Sequence, residues 1–265
     1  MNVFAVQLDI VWEDKRANFE RVRKLLQRTP PAIGSLIVLP EMFATGFSMN
    51  LGVTRQDQQR EDELFLKEIA REYRSTVLGG VVSSGDDDDL GRNQSVAFSP
   101  DGELLARYTK IHPFTLGGES SCHARGSEVV VFAAHGFHVA PFVCYDLRFP
   151  EIFRAAAMRG ANLLVVIALW PVKRQQHWLT LLQARAIENQ AFVVGVNRVG
   201  TEPQFHYAGR SVVIDPHGII VADAGEREGI LTAEIDVEKA EAWRRDFPAL
   251  RDAHWHPAEP ASKVR

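Results

Sequence analysis

Apolar runs alternate with amphipathic segments in the same order twice along this chain. In the first half, apolar runs over residues 4–8, 36–39 and 77–82 predict buried strands, and helical periodicity over 17–27 and 62–73 predicts helices between them. In the second half, strands are predicted over 139–143, 163–168 and 192–196, with helices over 150–159 and 176–189. Near-continuous apolar strands of this kind are typical of sheets that are covered on both faces.

Each half closes with a hairpin, and the two hairpins resemble each other. Residues 95–102 read SVAFSPDG and residues 211–218 read SVVIDPHG, with Pro and Gly where a turn favours them. Two such halves predict an α/β fold, a four-layer α-β-β-α sandwich in which two sheets pack together with helices outside. We expect a single domain over 1–265, with 237–265 as a C-terminal helix and a tail that wraps the body or a second subunit.

Composition excludes several classes of partner. The chain has 265 residues, 46% of them hydrophobic, and a net charge of -4 without a long basic block, so neither nucleic acid nor an anionic membrane is an expected partner. No apolar run is long enough to span a bilayer, and the first residues predict a strand rather than a signal peptide. The two cysteines form neither a disulfide framework nor a zinc motif, so we expect a cytoplasmic protein without a metal. The acidic run 86–89 indicates a solvated loop tip rather than a cation site.

Cys144 stands where a nucleophile would sit, between a buried strand and the start of a helix. Pro150 suits the first helical position, and Glu151 suits the positive end of the helix dipole. The field at a helix start favours a thiolate, so we expect a lowered pKa for Cys144. The alternative for this residue alone is a small buried hydrophobe.

Two further ionisable residues, Glu41 and Lys110, follow predicted strands. A cysteine that attacks a carbonyl needs a base and positive charge facing the oxyanion. Glu41, Lys110 and the backbone N–H of Tyr145 are able to supply these. Taken alone, Glu41 also fits a helix cap or a surface carboxylate, and Lys110 fits a solvated charge at a strand end.

Three segments together resemble the signature segments of the nitrilase, or carbon-nitrogen hydrolase, superfamily. They are PEMF at 40–43, KIHPF at 110–114 and CYDLRFP at 144–150. The resemblance runs nearly end to end and is strongest to the omega-amidase branch. Further segments support that branch: WP at 170–171, HW at 177–178, ARAIENQ at 184–190 and NRVG at 197–200.

The resemblance implies roles for four residues and no cofactor. Glu41 would be the general base, Lys110 would stabilise the tetrahedral intermediate, and Cys144 would form a thioester. Glu119, which alone reads as an ordinary loop carboxylate, would position the lysine and the substrate. Cys122 lies in a loop without a matching motif, so we interpret it as an incidental thiol.

Four aromatic residues and one arginine are interpreted as substrate-binding. Phe43, Phe114, Tyr145 and Trp170 fit either the core or a pocket wall, because an apolar pocket wall is also core. Arg174 fits either an exposed arginine at a helix entry or a bidentate partner for a substrate carboxylate.

The resemblance implies an amidase that hydrolyses the terminal amide of a small omega-amido acid such as 2-oxoglutaramate. Leu169 and Pro113 depart from the omega-amidase pattern, so we expect an altered pocket wall and an altered loop before Phe114. Other branches remain alternatives: a nitrilase, a carbamoylase or a deaminated glutathione amidase. A non-catalytic thiol redox sensor or scaffold is a further alternative. The resemblance also implies a homodimer or a larger even-numbered assembly, paired through helices of the second half.

Overall fold

Two six-stranded sheets form the centre of the protein. The computed structural model describes residues 1–84 and 90–253. The strands are β1 (Asn2–Gln7), β2 (Leu36–Val38), β3 (Thr76–Ser84), β4 (Gly91–Phe98), β5 (Leu104–Thr109), β6 (Phe132–Ala134), β7 (Phe137–Val143), β8 (Leu163–Ile167), β9 (Phe192–Val196), β10 (Val199–Thr201), β11 (His206–Ala208), β12 (Val212–Ile214), β13 (Ile220–Asp223) and β14 (Gly229–Glu234). The helices are α1 (Lys15–Arg28), α2 (Leu51–Thr54), α3 (Glu61–Tyr73), α4 (Glu119–Cys122), α5 (Pro150–Met158), α6 (Gln175–Asn189) and α7 (Val237–Asp246). Short 3₁₀ turns cover Thr115–Gly117, Cys144–Arg148, Val172–Arg174 and Ala249–Asp252.

The two sheets have the same internal plan. The first runs β14-β1-β2-β3-β4-β5 and the second runs β13-β12-β9-β8-β7-β6. In the first, β1, β2 and β3 are parallel and β4 and β5 return antiparallel. In the second, β7, β8 and β9 are parallel and β12 and β13 return antiparallel. This repeat confirms the two similar halves predicted from the sequence.

The apolar side chains form the four predicted layers. Outside the first sheet, Leu26 of α1 and Leu66 of α3 pack in one cluster with Ile37 of β2. Outside the second sheet, α6 lies close on β9, because a Cβ on Gly195 would meet Leu182. Between the sheets, Tyr108 of β5 packs edge-on against Phe142 of β7, with ring centroids 5.8 Å apart. The α-β-β-α sandwich is therefore confirmed.

Local signals explain where the helices begin. The Asp14 side chain accepts a hydrogen bond from the Ala17 N–H at 3.0 Å, which caps α1. Pro150 occupies the first position of α5, as its sequence predicts. The predicted helices and strands are found within a few residues of their expected ends.

Strand β14 joins the C-terminal part of the chain to the first sheet, a feature that the periodicity did not predict. It pairs antiparallel with β1 from Asn2 opposite Glu234 onward. The predicted C-terminal helix is α7, after which the chain forms the last 3₁₀ turn. The acidic run 86–89 and the tail 254–265 lie outside the described residues. Across residues 1–84 and 90–253, the structure contains no helix with the length and apolar character that bilayer crossing requires.

Candidate active site

Four side chains that the sequence singled out converge between the two sheets. Glu41 follows β2, Lys110 follows β5, Glu119 begins α4 and Cys144 follows β7. The Lys110 Nζ lies 2.8 Å from Glu41 Oε1 and 2.8 Å from Glu119 Oε2. Both carboxylates are fully buried, and 1% of Lys110 is exposed. One ammonium group therefore bridges two carboxylates in a site from which water is largely excluded.

Asn93 completes this cluster, and the sequence interpretation did not include it. Its Nδ2 donates to Glu41 Oε1 and to Glu119 Oε1, both at 2.7 Å. Asn93 lies in the middle of β4, where no spacing or neighbouring motif distinguishes it from a structural asparagine. The signal that identifies it is its position beside Lys110, whose backbone N–H donates to the Asn93 carbonyl at 2.9 Å.

Cys144 occupies a sharp bend between β7 and α5. Its φ is 48°, in the left-handed region that non-glycine residues rarely adopt. The buried Asp146 supports the bend, because its carboxylate accepts the Val143 N–H at 3.1 Å and the Tyr108 hydroxyl at 2.8 Å. It also accepts the His112 N–H at 3.0 Å. Asp146 thus ties the cysteine bend to the segment that carries Lys110.

The backbone of Leu169 connects Cys144 with Glu41. Its N–H donates to Glu41 Oε2 at 2.9 Å, and its carbonyl accepts from the Cys144 Sγ at 3.7 Å. The next residue, Trp170, donates its N–H to Asn197 Oδ1 at 2.8 Å, which holds this segment in place. The sulfur and the carboxylate therefore both bond the backbone of Leu169.

The charges of the cluster follow from burial and from the neighbouring groups. Burial alone would lower the pKa of Lys110, but the Glu119 and Glu41 carboxylates outweigh it and raise that pKa. Burial would likewise raise the pKa of Glu119, and the Lys110 ammonium together with the Phe114 N–H lowers it instead. Lys110 is therefore an ammonium and Glu119 a carboxylate at neutral pH.

The expected lowering of the Cys144 pKa is wrong. Burial raises the pKa of the Cys144 thiol well above its ordinary value, and the Glu41 charge adds to this, while Lys110 opposes it. Helix α5 begins at Pro150, and Cys144 lies in the preceding 3₁₀ turn. Because a helix dipole acts mainly within its first turn, its field is too weak here to offset burial. The free protein therefore holds a thiol.

A narrow cleft, partly open to solvent, leads to Cys144. Its walls include Phe114, Tyr145, Trp170 and Arg174, which were predicted to bind substrate. Leu169, where an altered pocket wall was expected, also lines the cleft. The walls further include five residues that the interpretation did not place there: Phe47, Arg148, Pro171, Phe205 and Tyr207. Since 8% of Cys144 is exposed, the sulfur lies at the inner end of this opening.

Phe43 is not a pocket wall, so its predicted role in substrate binding is wrong. Its side chain is fully buried in the outer core of the first sheet. There its ring packs against Phe65 of α3, with centroids 5.8 Å apart. The loop after Glu41 turns Phe43 towards the helices, and Phe47, four residues later, faces the cleft instead.

Two arginines, Arg148 and Arg174, line the cleft. The Arg148 guanidinium lies 4.9 Å from the centre of the Trp170 ring, and the Arg174 guanidinium lies 5.5 Å from the centre of the Phe114 ring. Partial burial lowers the pKa of Arg148, and the nearby Arg174 charge adds to this effect. Two cations in the walls of one cleft favour an anionic ligand group there.

Glycine at position 80 allows β3 to approach the Glu41 loop. A Cβ on Gly80 would lie 2.5 Å from the Glu41 Cα and 2.6 Å from the Met42 N. The Gly80 N–H also donates to the Pro40 carbonyl at 3.1 Å. The position of the Glu41 backbone therefore depends on the absence of a side chain here.

Cys122 is a partly buried free thiol at the end of α4. In the part of the chain that the structure describes, no group of histidine, cysteine and acidic side chains has a geometry that could hold a metal ion.

Most of the chain matches known proteins of one family. Residues 2–245 match the family described as carbon-nitrogen hydrolase. A 2-oxoglutaramate amidase from Bacillus subtilis (strain 168) is 33% identical over 251 residues, which are 94% of this chain and 96% of the relative. Omega-amidase YafV from Yersinia enterocolitica is 38% identical over 249 residues, which are 93% and 94% of the two chains. The structure of XC1258 from Xanthomonas campestris has a TM-score of 0.91 at 33% identity, covering 98% of this chain and 99% of that one.

Proposed function

This chain belongs to the carbon-nitrogen hydrolase family and is a hydrolase of non-peptide carbon–nitrogen bonds; we propose that it releases ammonia from a small amide through a thioester on Cys144. The observation that carries this proposal is the Glu41–Lys110–Glu119 cluster beside a cysteine that faces an open cleft. Three reactive groups that fit one mechanism in one site favour catalysis over a structural role.

In the first step, the Cys144 sulfur attacks the amide carbon. Because the free protein holds a thiol, its proton must leave as the carbon–sulfur bond forms, and Glu41 accepts it. The Lys110 ammonium and the Tyr145 N–H stabilise the negative charge on the carbonyl oxygen. Glu119 keeps Lys110 oriented from its other side. When the carbon–nitrogen bond breaks, the proton on Glu41 passes to the leaving ammonia.

In the second step, water hydrolyses the thioester. Glu41 removes a proton from the water, the oxygen attacks the thioester carbon, and Lys110 stabilises the same oxyanion position. Collapse of this intermediate releases the acid and returns the proton to sulfur. The cycle uses residues of this chain alone and consumes one water for each ammonia released.

We propose an omega-amide of a short dicarboxylic acid, such as 2-oxoglutaramate or 2-oxosuccinamate, as the substrate. The paired arginines Arg148 and Arg174 fit the free carboxylate at the far end of such a molecule. Two relatives described as a 2-oxoglutaramate amidase and an omega-amidase support the same class.

Ammonia release from a panel of compounds tests the proposal. We expect turnover of 2-oxoglutaramate and 2-oxosuccinamate, and much weaker turnover of pentanamide, which has an amide but no carboxylate. Cys144→Ser should lower kcat/KM by at least roughly a thousandfold. The matched variant Cys122→Ser should retain activity, because Cys122 lies outside the cleft.

Other outcomes would assign the protein to another class. Turnover of nitriles, carbamoyl amines or deaminated glutathione, without turnover of short omega-amides, would favour another branch of the family. Intact-mass measurement during turnover should detect an acyl group on Cys144. Reversible oxidation of Cys144 without any acyl adduct would instead favour a thiol sensor.

We propose that the protein is a homodimer or a larger even-numbered assembly and acts in the cytoplasm. Exposed apolar side chains on the second half support pairing there: Met158 on α5 and Ile187 on α6 are 56% and 55% exposed. Two free cysteines suit a reducing compartment. Sedimentation velocity should give an even multiple of the chain mass, and a monomer at micromolar concentration would contradict the assembly.

A further inference from the structure

Glu202 forms a buried polar cluster that the proposed mechanism does not use. It lies in the connection between β10 and β11, and its side chain is 1% exposed. Its carboxylate accepts a hydrogen bond from the Tyr207 hydroxyl, and it accepts the Phe47 N–H at 3.3 Å. The Arg198 guanidinium lies 3.3 Å from the same carboxylate. One carboxylate therefore joins three separate segments of the chain.

Two of these segments carry neighbouring walls of the cleft. Phe47 comes from the loop that begins with Glu41, and Phe205 and Tyr207 come from the β10–β11 hairpin. The Phe47 and Phe205 rings are 6.5 Å apart, between centroids, and the Lys110 Nζ lies 5.8 Å from the Phe47 ring centre. A change in the hydrogen bond that holds the Phe47 backbone would therefore alter the shape of the cleft beside Lys110, where the amide is proposed to bind.

The third segment anchors the cluster to the core. Arg198 is fully buried and donates to the Ile10 carbonyl at 2.9 Å and to the Val199 carbonyl at 2.8 Å. Buried ion pairs add little net stability, because desolvation offsets much of their attraction, but they can favour one arrangement of the chain. The Arg198–Glu202 pair is a fixed point to which both walls are attached.

We propose that Glu202 is a positioning residue that sets the separation of the Phe47 and Tyr207 walls and thereby the length of substrate that the cleft selects. Its carboxylate holds the Phe47 backbone and the Tyr207 hydroxyl at the same time. Aspartate, shorter by one methylene, cannot reach both groups from the same backbone position. In its place the walls separate, and the cleft distinguishes less between shorter and longer ligands.

The kinetic test rests on the proposed amidase function. In Glu202→Asp and in Tyr207→Phe, which keeps the ring and removes the hydroxyl, we expect KM for the preferred omega-amide to rise about fivefold while kcat stays within about twofold. The preference between 2-oxosuccinamate and 2-oxoglutaramate should also decrease. Thr201→Val is the matched control, because it removes a solvent-facing hairpin contact to His206 and leaves the cleft intact.

A second measurement does not depend on amide turnover. In a Cys122→Ser background, intact mass gives the rates at which iodoacetamide and the bulkier N-ethylmaleimide alkylate Cys144. Both variants should raise the maleimide-to-iodoacetamide rate ratio at least about threefold, because a wider cleft admits the bulkier reagent. The ratio cancels changes in thiol reactivity that both reagents share.

The two measurements distinguish the positioning role of Glu202 from the proposed amidase function. An unchanged alkylation ratio in both variants would overturn the role of Glu202, even if the wild type hydrolyses omega-amides. A shifted ratio in a protein that turns over no omega-amide would support the role of Glu202 and contradict the proposed substrate. Equal shifts in Thr201→Val would reduce Glu202 to a general hairpin anchor and overturn its role in the cleft. If Glu202→Asp does not fold, Tyr207→Phe alone decides the outcome.

Discussion

At the scale of single residues, the neutral side-chain amide of Asn93 holds two carboxylates beside one ammonium group in the candidate site. Glu41 and Glu119 supply two negative charges, and Lys110 supplies one positive charge. Asn93 donates to both carboxylates without adding charge. Its second role is geometric, because two hydrogens on one nitrogen fix the separation of the two carboxylate oxygens.

Replacing Asn93 with alanine should impair catalysis more than folding. Each carboxylate would lose a donor and would turn towards Lys110, so we expect kcat to fall about 10- to 100-fold. Steady-state ammonia release measures this change. Gln94→Ala is the matched control, because Gln94 is also buried in β4 but bonds Ser83 and Thr109. Similar losses of kcat in both variants would contradict a specific role for Asn93.

The sequence predicted the reactive residues better than their environments. Glu41, Lys110 and Cys144 were placed by their positions after strands, and the structure brings them together. The lowered pKa of Cys144 was wrong because a pattern of residues shows the helix but not the depth of burial. The substrate-binding role predicted for Phe43 was wrong because its loop has no regular periodicity. Residue spacing therefore does not indicate which side chains of the loop face the cleft. Asn93 gave no signal, since its partners are distant in sequence.

At the scale of elements, the close approach of β3 to the Glu41 loop places the general base. This approach requires Gly80, whose added Cβ would meet backbone atoms that have no room to move. The neighbouring Gly79 faces the other side of the strand, where an added Cβ would meet the flexible end of Leu66 at 2.9 Å. The two glycines thus offer a matched pair for separating catalysis from packing.

Gly80→Ala should lower kcat/KM by at least about tenfold, because the Glu41 backbone must shift by a substantial fraction of an ångström. Gly79→Ala should mainly change stability, since Leu66 belongs to the outer core. Kinetics and thermal melts of both variants test this. Wild-type activity in Gly80→Ala would show that the loop relaxes without moving Glu41.

Elements with strong periodicity or a turn motif were predicted, including the β4–β5 and β12–β13 hairpins, and two other paired elements were not. The parallel strands and the long helices have the apolar repeats that their burial demands. Strand β14 is partly exposed and gains its place from β1, more than two hundred residues away in sequence. The short β10–β11 pair, which carries Tyr207, has too few residues for a pattern to emerge.

At the scale of the whole molecule, Asp62 makes the stability of the fold depend on pH. It lies at the start of α3, is 2% exposed, and has Oδ1 3.3 Å from the Lys15 Nζ. Burial raises its pKa to about 7, and Lys15 offsets this in part. The unfolded chain therefore loses this proton near pH 4, whereas the folded chain keeps it until near pH 7. The contribution of Asp62 to stability consequently falls as pH rises between these values and then stays level.

Asp62→Asn should remove this loss of stability. Between pH 4.5 and pH 8, the free energy of unfolding of the variant relative to the wild type should rise by about 3 kcal/mol, the part of the pKa change that falls within this range. Denaturant titrations at the two pH values measure it. Glu61→Gln is a suitable control, because Glu61 also pairs with Lys15 but its side chain is 42% exposed. A constant difference between Asp62→Asn and wild type at both pH values would contradict this origin.

The backbone of Leu169 offers a way to follow turnover. Its carbonyl accepts from the thiol hydrogen of Cys144, and its N–H holds the carboxylate that would receive that hydrogen. Acylation would remove the S–H donor, so the stretching frequency of this one carbonyl should rise as the covalent intermediate accumulates and return when water clears it. A carbon-13 label at Leu169 would make the main chain an infrared reporter of the reaction, with no dye and no altered substrate.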